Sequence, residues 1–342
     1  SRDFKRALKL LEVNRFDKDN RKLYSHTYTH YDQSGNCLDE QLIDNAGRNS
    51  YLWDKLGRCV MNDHYTYENG LKLSWSIPQD GFDPSGCLLK VEINNPVTGS
   101  YDNQFAYDPL YQLKEEKGLL NHTYDHNSRN HRLKKDEDNY TNNIADRLLN
   151  DSRFTYTYDA CGNLIQKIGN GEEATYRYDA FDRLIALKIK DKVSLTYTYD
   201  SLHRRMSQHL VLDESPGEAI WDFPYELLFI YQGENDIGTI GDAGETVELR
   251  ILGNRDNAEI GSAIAFEFYG KRYVPTYDHR GSVSALIDAA TANIVESYHY
   301  SAFGEESIYN KDGLKVATSS LNNPWRYCSK RSDKTGMIFF GR

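Results

Sequence analysis

The sequence is poor in several things a 342-residue chain might use. Its five cysteines, Cys37, Cys59, Cys87, Cys161 and Cys328, are odd in number, far apart and never set as Cys-x-x-Cys. That argues against a disulfide framework or a zinc knuckle and fits free thiols made in a reducing cytosol. No apolar run approaches the ~18 residues of a membrane span, and the first residues lead into no signal-peptide core. Positive charge is also short: 41 Lys and Arg stand against 51 Asp and Glu, a net −10. No global field would hold nucleic acid or an anionic membrane, so neither is an expected partner. Nucleotide loops, zincin helices and nucleophile elbows are absent; Gly169-Asn170-Gly171 is only a turn fragment, and no cofactor or metal is expected. The chain opens on Ser1 instead of Met, the expectation for a processed or excised piece.

What the sequence has in quantity is tyrosine. There are 26, in a chain that is 39% hydrophobic and therefore too apolar for disorder. Many fall in one repeated phrase: aromatic, any residue, Tyr, Asp, two variable residues, Gly or a polar residue, Arg or Asn, then an aliphatic. The clearest copies begin at Tyr156, Tyr176 and Tyr197 and carry Tyr158-Asp159 with Gly162, Tyr178-Asp179, and Tyr199-Asp200. Looser copies hold Tyr31-Asp32, Asp54 with Gly57, and Tyr107-Asp108. The spacing is about 20–22 residues.

Each copy reads as strand, turn, strand. The Thr and Tyr residues alternate at period two and favour extended backbone, Asp opens a turn by bonding its own following backbone, and Gly35, Gly57 or Gly162 supplies a positive φ. A lone hairpin cannot bury its face, so successive hairpins must pair into a continuous antiparallel ribbon whose tyrosines pack across strands. The fold class expected is all-β. At ~21 residues per hairpin the chain makes roughly 16 hairpins or about 32 strands, a band on the order of 150 Å along its edge at ~4.8 Å per strand. A globular cargo of ~100 residues, with radius of gyration near 13 Å, needs about that length for one circuit. The band makes one open turn, with strand edges left to pair or aggregate.

Residues 114–152 break the Tyr-Asp phrase with a polar stretch, read as an exposed excursion from the ribbon. Asn121, Asn139 and Asn150 each open an Asn-x-Ser/Thr triplet, which matters only in a eukaryotic secretory protein. Between His209 and Val274 the phrase lapses, while strand-like segments continue at Leu227–Tyr231, Thr246–Arg250 and Ala263–Phe268, punctuated by Gly233, Gly241-Asp242 and Gly253-Asn254. Then come Asp278-His279-Arg280-Gly281-Ser282 and a strand ending Tyr300-Ser301-Ala302-Phe303-Gly304.

These phrases resemble the Rhs/YD-repeat proteins, and residues 277–304 look like the opening of the Rhs repeat-associated core domain. Its signature here is Asp278, His279, Gly281, Ser282, Phe303 and Gly304, with Arg280 where the family usually has Leu and Ser301 where it has Asp. Asn323-Pro324-Trp325-Arg326-Tyr327 and Thr335 to Arg342 look like that domain's approach to its end. The resemblance divides the chain into a lead-in, 1–24, a YD-repeat strip, 25–208, and a continued strip with the start of the core domain, 209–342. It implies a β-strip wound into a hollow cocoon around its own C-terminal effector, usually a toxin. Such proteins are made in the bacterial cytoplasm and delivered outside the cell through a Tc-toxin or type VI secretion apparatus. Autoproteolysis in the family uses aspartates just beyond the segment equivalent to Phe339–Arg342, so those catalytic residues and the cargo are expected after this sequence. Other shell segments are further partners the resemblance implies. A teneurin-like adhesion or glycan-binding module is the alternative, for which tyrosine stripes would offer stacking faces.

Three chemical readings compete with structure. The repeated aspartates could pair as glycosidase carboxyls, Asp278 with His279 could do acid–base work, and Cys328 with His299 could act as nucleophile and base. No third orienting residue is visible for either pair, and no catalytic residue is assigned.

Overall fold

The computed structural model describes residues 10–67, 70, 72–212, 225–253, 263–333 and 335–339. Asn254 and the terminal Phe340-Gly341-Arg342 therefore lie outside the described residues. Among those described there are 31 strands and no α-helix. Sheet order follows chain order without a crossover. Twelve strands, Glu12–Phe16 through Asp138–Asn139, form one antiparallel sheet, and seventeen, Thr141–Asn142 through Lys315–Val316, form a second. A last pair joins Arg331–Ser332 to Ile338–Phe339.

Local sequence explains the strands. In Val193–Tyr199, Val193, Leu195 and Tyr197 are buried while Thr196 and Thr198 face out. Opposite them lie Leu212, Leu210 and the buried Gln208 of the next strand, so one face of the hairpin is mostly apolar across both strands. The tyrosine just before each aspartate sits at a register slip: Thr157 pairs Gln166 but Tyr158 pairs Leu164, and the same slip recurs at Tyr178, Tyr199 and Tyr277. One extra residue on the outgoing strand makes this a β-bulge, which bends and twists the strip at the same place in each repeat.

The polar stretch 114–152 is strand, not an excursion. Leu113–Lys117, His122–His126, Arg132–Lys135 and Leu148–Asn150 carry the hairpin pattern through it. Its turns are built on Asn instead of Asp: Asn127 Oδ1 accepts from the Arg129 and His131 amides, and Asn143 Oδ1 from those of Ala145 and Arg147. An amide oxygen organises a turn as a carboxylate does, so the period survives the loss of the Tyr-Asp phrase. The expected single ribbon is, however, divided at Tyr140. There the Ser152 hydroxyl accepts from the Asn139 amide (2.9 Å) and donates to its carbonyl (3.1 Å), taking the groups a ladder partner would use. The segments expected near 227–231, 246–250 and 263–268 are strands Glu226–Gln232, Thr246–Leu252 and Ala263–Phe268.

The chain separates into two units: residues up to 105 with 116–121 and 249–340, and residues 106–115 with 122–248. The second unit is a strip whose buried face carries Ala174, Tyr176, Leu187, Leu195, Tyr197, Leu210 and Phe229. In the first unit, strands 200 residues apart in sequence face each other. Tyr24, Tyr28, Leu42, Ile43 and Leu73 pack with Ile264, Ala265, Val274, Ala285 and Ile287. A neighbouring cluster centres on Trp325, fully buried against Phe266 and Phe268. Polar groups stitch the same seam: Asn95 donates to Ser297, Trp75 Nε1 to the Tyr277 carbonyl, and Tyr24 to Glu267.

Candidate functional site

The repeat residues form one turn many times over. In Asp200–Arg204, the Asp200 amide donates to the Arg204 carbonyl, the His203 amide donates back to the Asp200 carbonyl, and Oδ1 accepts from the Leu202 and Arg204 amides. Asp32, Asp54, Asp108, Asp159 and Asp179 each accept backbone donors in this way. The fourth residue takes a positive φ: +78° at Gly57, +100° at Gly162, +65° at His203. At Gly162 a Cβ would also lie 2.6 Å from the Arg147 guanidinium, which would have to move aside.

The fifth residue links neighbouring turns. Arg58, Arg183 and Arg204 grip their own aspartates, Asp54, Asp179 and Asp200, at 2.6, 2.7 and 2.8 Å from Nε. Arg183 also donates to the Asp200 carbonyl of the next turn and lies 5.0 Å from the Tyr199 ring, while Arg204 donates to the Gly233 carbonyl and lies over Tyr231. The half-buried Tyr158 and Tyr199 turn their hydroxyls back to the Leu148 and Leu184 carbonyls of the preceding hairpin. Tyr31 does the same to Leu10, and Tyr277 to Ala263. Tyr107 and Tyr178 are half-buried at the equivalent place, and burial pushes the Tyr178 hydroxyl up to about 12. Hydrogen bonds from Arg58 and Arg183 hold the Asp54 and Asp179 carboxyls below their usual range. These carboxylates are fully engaged in turns, which leaves no cleft pair of acid and nucleophile.

The core-domain phrase is another copy of this turn. Asp278 Oδ1 accepts from the Arg280 and Ser282 amides at 2.9 and 2.8 Å, and Gly281 takes φ +77°. Arg280, the third residue of this turn, donates to the Ser301 and Tyr300 carbonyls, a link to the next turn that the fifth-position Arg makes elsewhere. Ser282 is buried and accepts from the Cys328 amide. Ser301 organises the following turn with its hydroxyl in place of a carboxylate, accepting from Glu305, and Gly304 at φ +87° lies against the Tyr327 ring. Phe303, at the tip, is exposed.

The two histidines singled out from the sequence are structural in their contacts. His299 bonds Tyr101 through Nδ1 and Thr98 through Nε2, so neither ring nitrogen is left for the Cys328 thiol. His279 lies edge-on to Trp75. Burial drives both imidazoles down to about 4, against the opposing charge of Asp278, and both are neutral at pH 7. Sequence reading missed two buried carboxylates in the same unit. Glu296 accepts from Tyr298, Ser319 and Ser320, and Glu40 accepts from Asn49, Tyr51 and His26. Neither sits in a repeated phrase, so no pattern pointed to them. Among the described residues no cluster of three or more His, Cys, Asp and Glu could hold a metal ion.

No family model and no curated protein matches this chain. Solved structures of Tc-toxin components are similar to it. A TcdB2-TccC3-Cdc42 crystal structure is 12% identical with a TM-score of 0.37, over 98% of this chain and 26% of that one. TcdB2-TccC3 without its hypervariable C-terminal region gives 14% and 0.38, over 97% and 25%. A Photorhabdus luminescens Tc holotoxin pore gives 13% and 0.36, over 98% and 25%. The chain spans about a quarter of the length of these solved chains. Its all-β assignment rests on its own strand order.

Proposed function

We propose that this chain is a structural segment of an Rhs-type β-shell, residues 25–208 forming a YD-repeat strip and 209–342 its continuation into a core domain, and that the shell sequesters an effector carried by the following polypeptide. The observation that carries the reading is the stapled turn. Asp, the fifth-position Arg and the neighbouring carbonyl bind each hairpin to the next, at Asp179–Arg183–Asp200 and again at Asp200–Arg204–Gly233. Such a device propagates a wall in one dimension without needing a ligand. The tyrosines support it over glycan display, because Tyr199 and Tyr231 spend their hydroxyls on backbone carbonyls and a ring face each on Arg183 and Arg204.

Expression of the full reading frame, followed by intact mass, terminal sequencing and size exclusion, tests the reading. A downstream piece that co-elutes with this chain, cut or uncut, is the expected result, and a cut beyond Arg342 would add self-cleavage. A downstream piece that elutes alone refutes enclosure.

A further inference from the structure

The first unit contains a cavity of about 230 Å³ between its facing strands, bounded on one side by Glu40, Tyr51 and Trp53 and on the other by Val274, Tyr277 and His279. An apolar cavity of about 150 Å³ accommodates benzene, so this one has room for a small organic molecule. Its walls are unusual in charge and in aromatic content. They include the carboxylates of Glu40 and Asp278 and no Lys or Arg. Asp278 is engaged by Arg280, whose side chain is not part of the wall, and Glu40 is paired with the wall's His26 at 3.1 Å, so Glu40 is the carboxylate whose partners all belong to the wall. Five Tyr and Trp rings line it as well, and its two indoles are pinned: Trp53 Nε1 donates to the Cys37 carbonyl at 2.7 Å and Trp75 Nε1 to that of Tyr277 at 2.8 Å.

The polar groups are incompletely used. Glu40 Oε1 accepts from Asn49 (2.8 Å) and Tyr51 (2.6 Å), and Oε2 from His26 (3.1 Å), while a carboxylate has about four acceptor positions. Burial alone would raise this carboxyl, but the His26 ring and the three hydrogen bonds outweigh it and keep Glu40 ionised. His26 is 1% exposed, and its Nδ1 has no hydrogen-bond partner. With Nε2 turned to Glu40, that Nδ1 lacks a partner at the cavity wall, where an unmatched buried polar atom is costly. A carboxylate that is nine-tenths covered and aromatic faces around it are what recognises a small organic cation.

We infer that this cavity is a binding site for a small organic ammonium cation, held by Glu40 and by the faces of Trp53, Trp75 and Tyr51. The ammonium is either free, as in choline, or the head of a lysine side chain presented by a peptide. Calorimetric titration of the whole chain at neutral pH distinguishes these, using choline, its uncharged carbon isostere dimethylbutanol, and Nα-acetyl-lysine amide. The expected result is saturable binding of choline or the lysine amide, with quenching of tryptophan fluorescence and at least tenfold weaker binding of the isostere. Tighter choline identifies a free ligand, and tighter lysine amide a side chain. Glu40→Gln should weaken the cation tenfold or more and leave the isostere unchanged. The comparison of choline with its isostere on the unmodified chain decides the matter even if that variant does not fold. No saturable binding of either cation, or equal binding of choline and the isostere, overturns the inference.

Discussion

Acid should open the first unit well before it disturbs the repeat turns. His64 and His299 are buried at 1% and 8% exposure, and His279 lies beside them. Burial lowers all three from an ordinary 6.5 to about 4, against the pull of Glu40 on His64 and of Asp278 on the other two; Arg280 adds to the lowering at His279. The unfolded chain therefore binds more protons than the folded one between those values. Stability from these neutral rings is complete above pH 6.5 and is lost as pH falls toward 4. For His64 and His299 the full loss is about 3 kcal/mol each, and about 2 kcal/mol each by pH 5. Two such terms are comparable with a whole domain's stability of roughly 5–15 kcal/mol. The tryptophans among the described residues, Trp53, Trp75 and Trp325, all belong to this unit, so urea titrations followed by fluorescence in a Trp221→Phe background report it directly. The midpoint should drop steadily between pH 6.5 and 4.5, and His299→Gln should flatten part of the slope. A midpoint unchanged down to pH 4.5, falling only where carboxylates titrate, would refute the reasoning.

Other perturbations separate the parts of the strip. Leu195→Ala, at a fully buried position in the second unit, should cost about 2–5 kcal/mol in denaturant titrations followed by circular dichroism. Gly162→Ala places a Cβ at φ +100° and should cost about 1 kcal/mol, whereas Ala160→Ser in the same turn should be silent in the same assay. Tyr199→Phe removes the 2.7 Å bond to the Leu184 carbonyl and should lower stability by about 1 kcal/mol. Phe181 and Leu202 stand exposed at successive turn tips, so Phe181→Ser with Leu202→Ser should reduce self-association measured by light scattering without changing the circular dichroism spectrum.

The hairpin period was legible because it is written in local chemistry. Alternating Thr and Tyr set the strands, and Asp with Gly set the turns, so about 32 strands were expected where 31 are described. Where the turn residue changed to Asn127 or Asn143, the phrase vanished from the sequence while its hydrogen bonds persisted. A search on Tyr-Asp could not find a turn that needs only a short side-chain oxygen. The bulge on the strand after each of these turns was hidden for a different reason: it depends on how two strands register, and neither strand alone encodes it. The meeting of Tyr24 and Ile43 with Ala265 and Ile287 was hidden too. Alternation shows which side of a strand is apolar, and it carries no information on which distant strand will cover it. Glu40 and Glu296 are held by near neighbours outside any repeated phrase, and the cavity beside Glu40 is closed by Val274 and Tyr277 of distant strands, which is why it was invisible in the sequence.

Protection of the downstream polypeptide from protease tests sequestration most directly. The full reading frame and its isolated downstream region would be digested side by side and the fragments followed by mass spectrometry. If the strip encloses an effector, the downstream region should survive in the full product until acid or urea opens the shell, and then be lost quickly. Digestion at the same rate in both samples, with this chain still folded, would contradict the account.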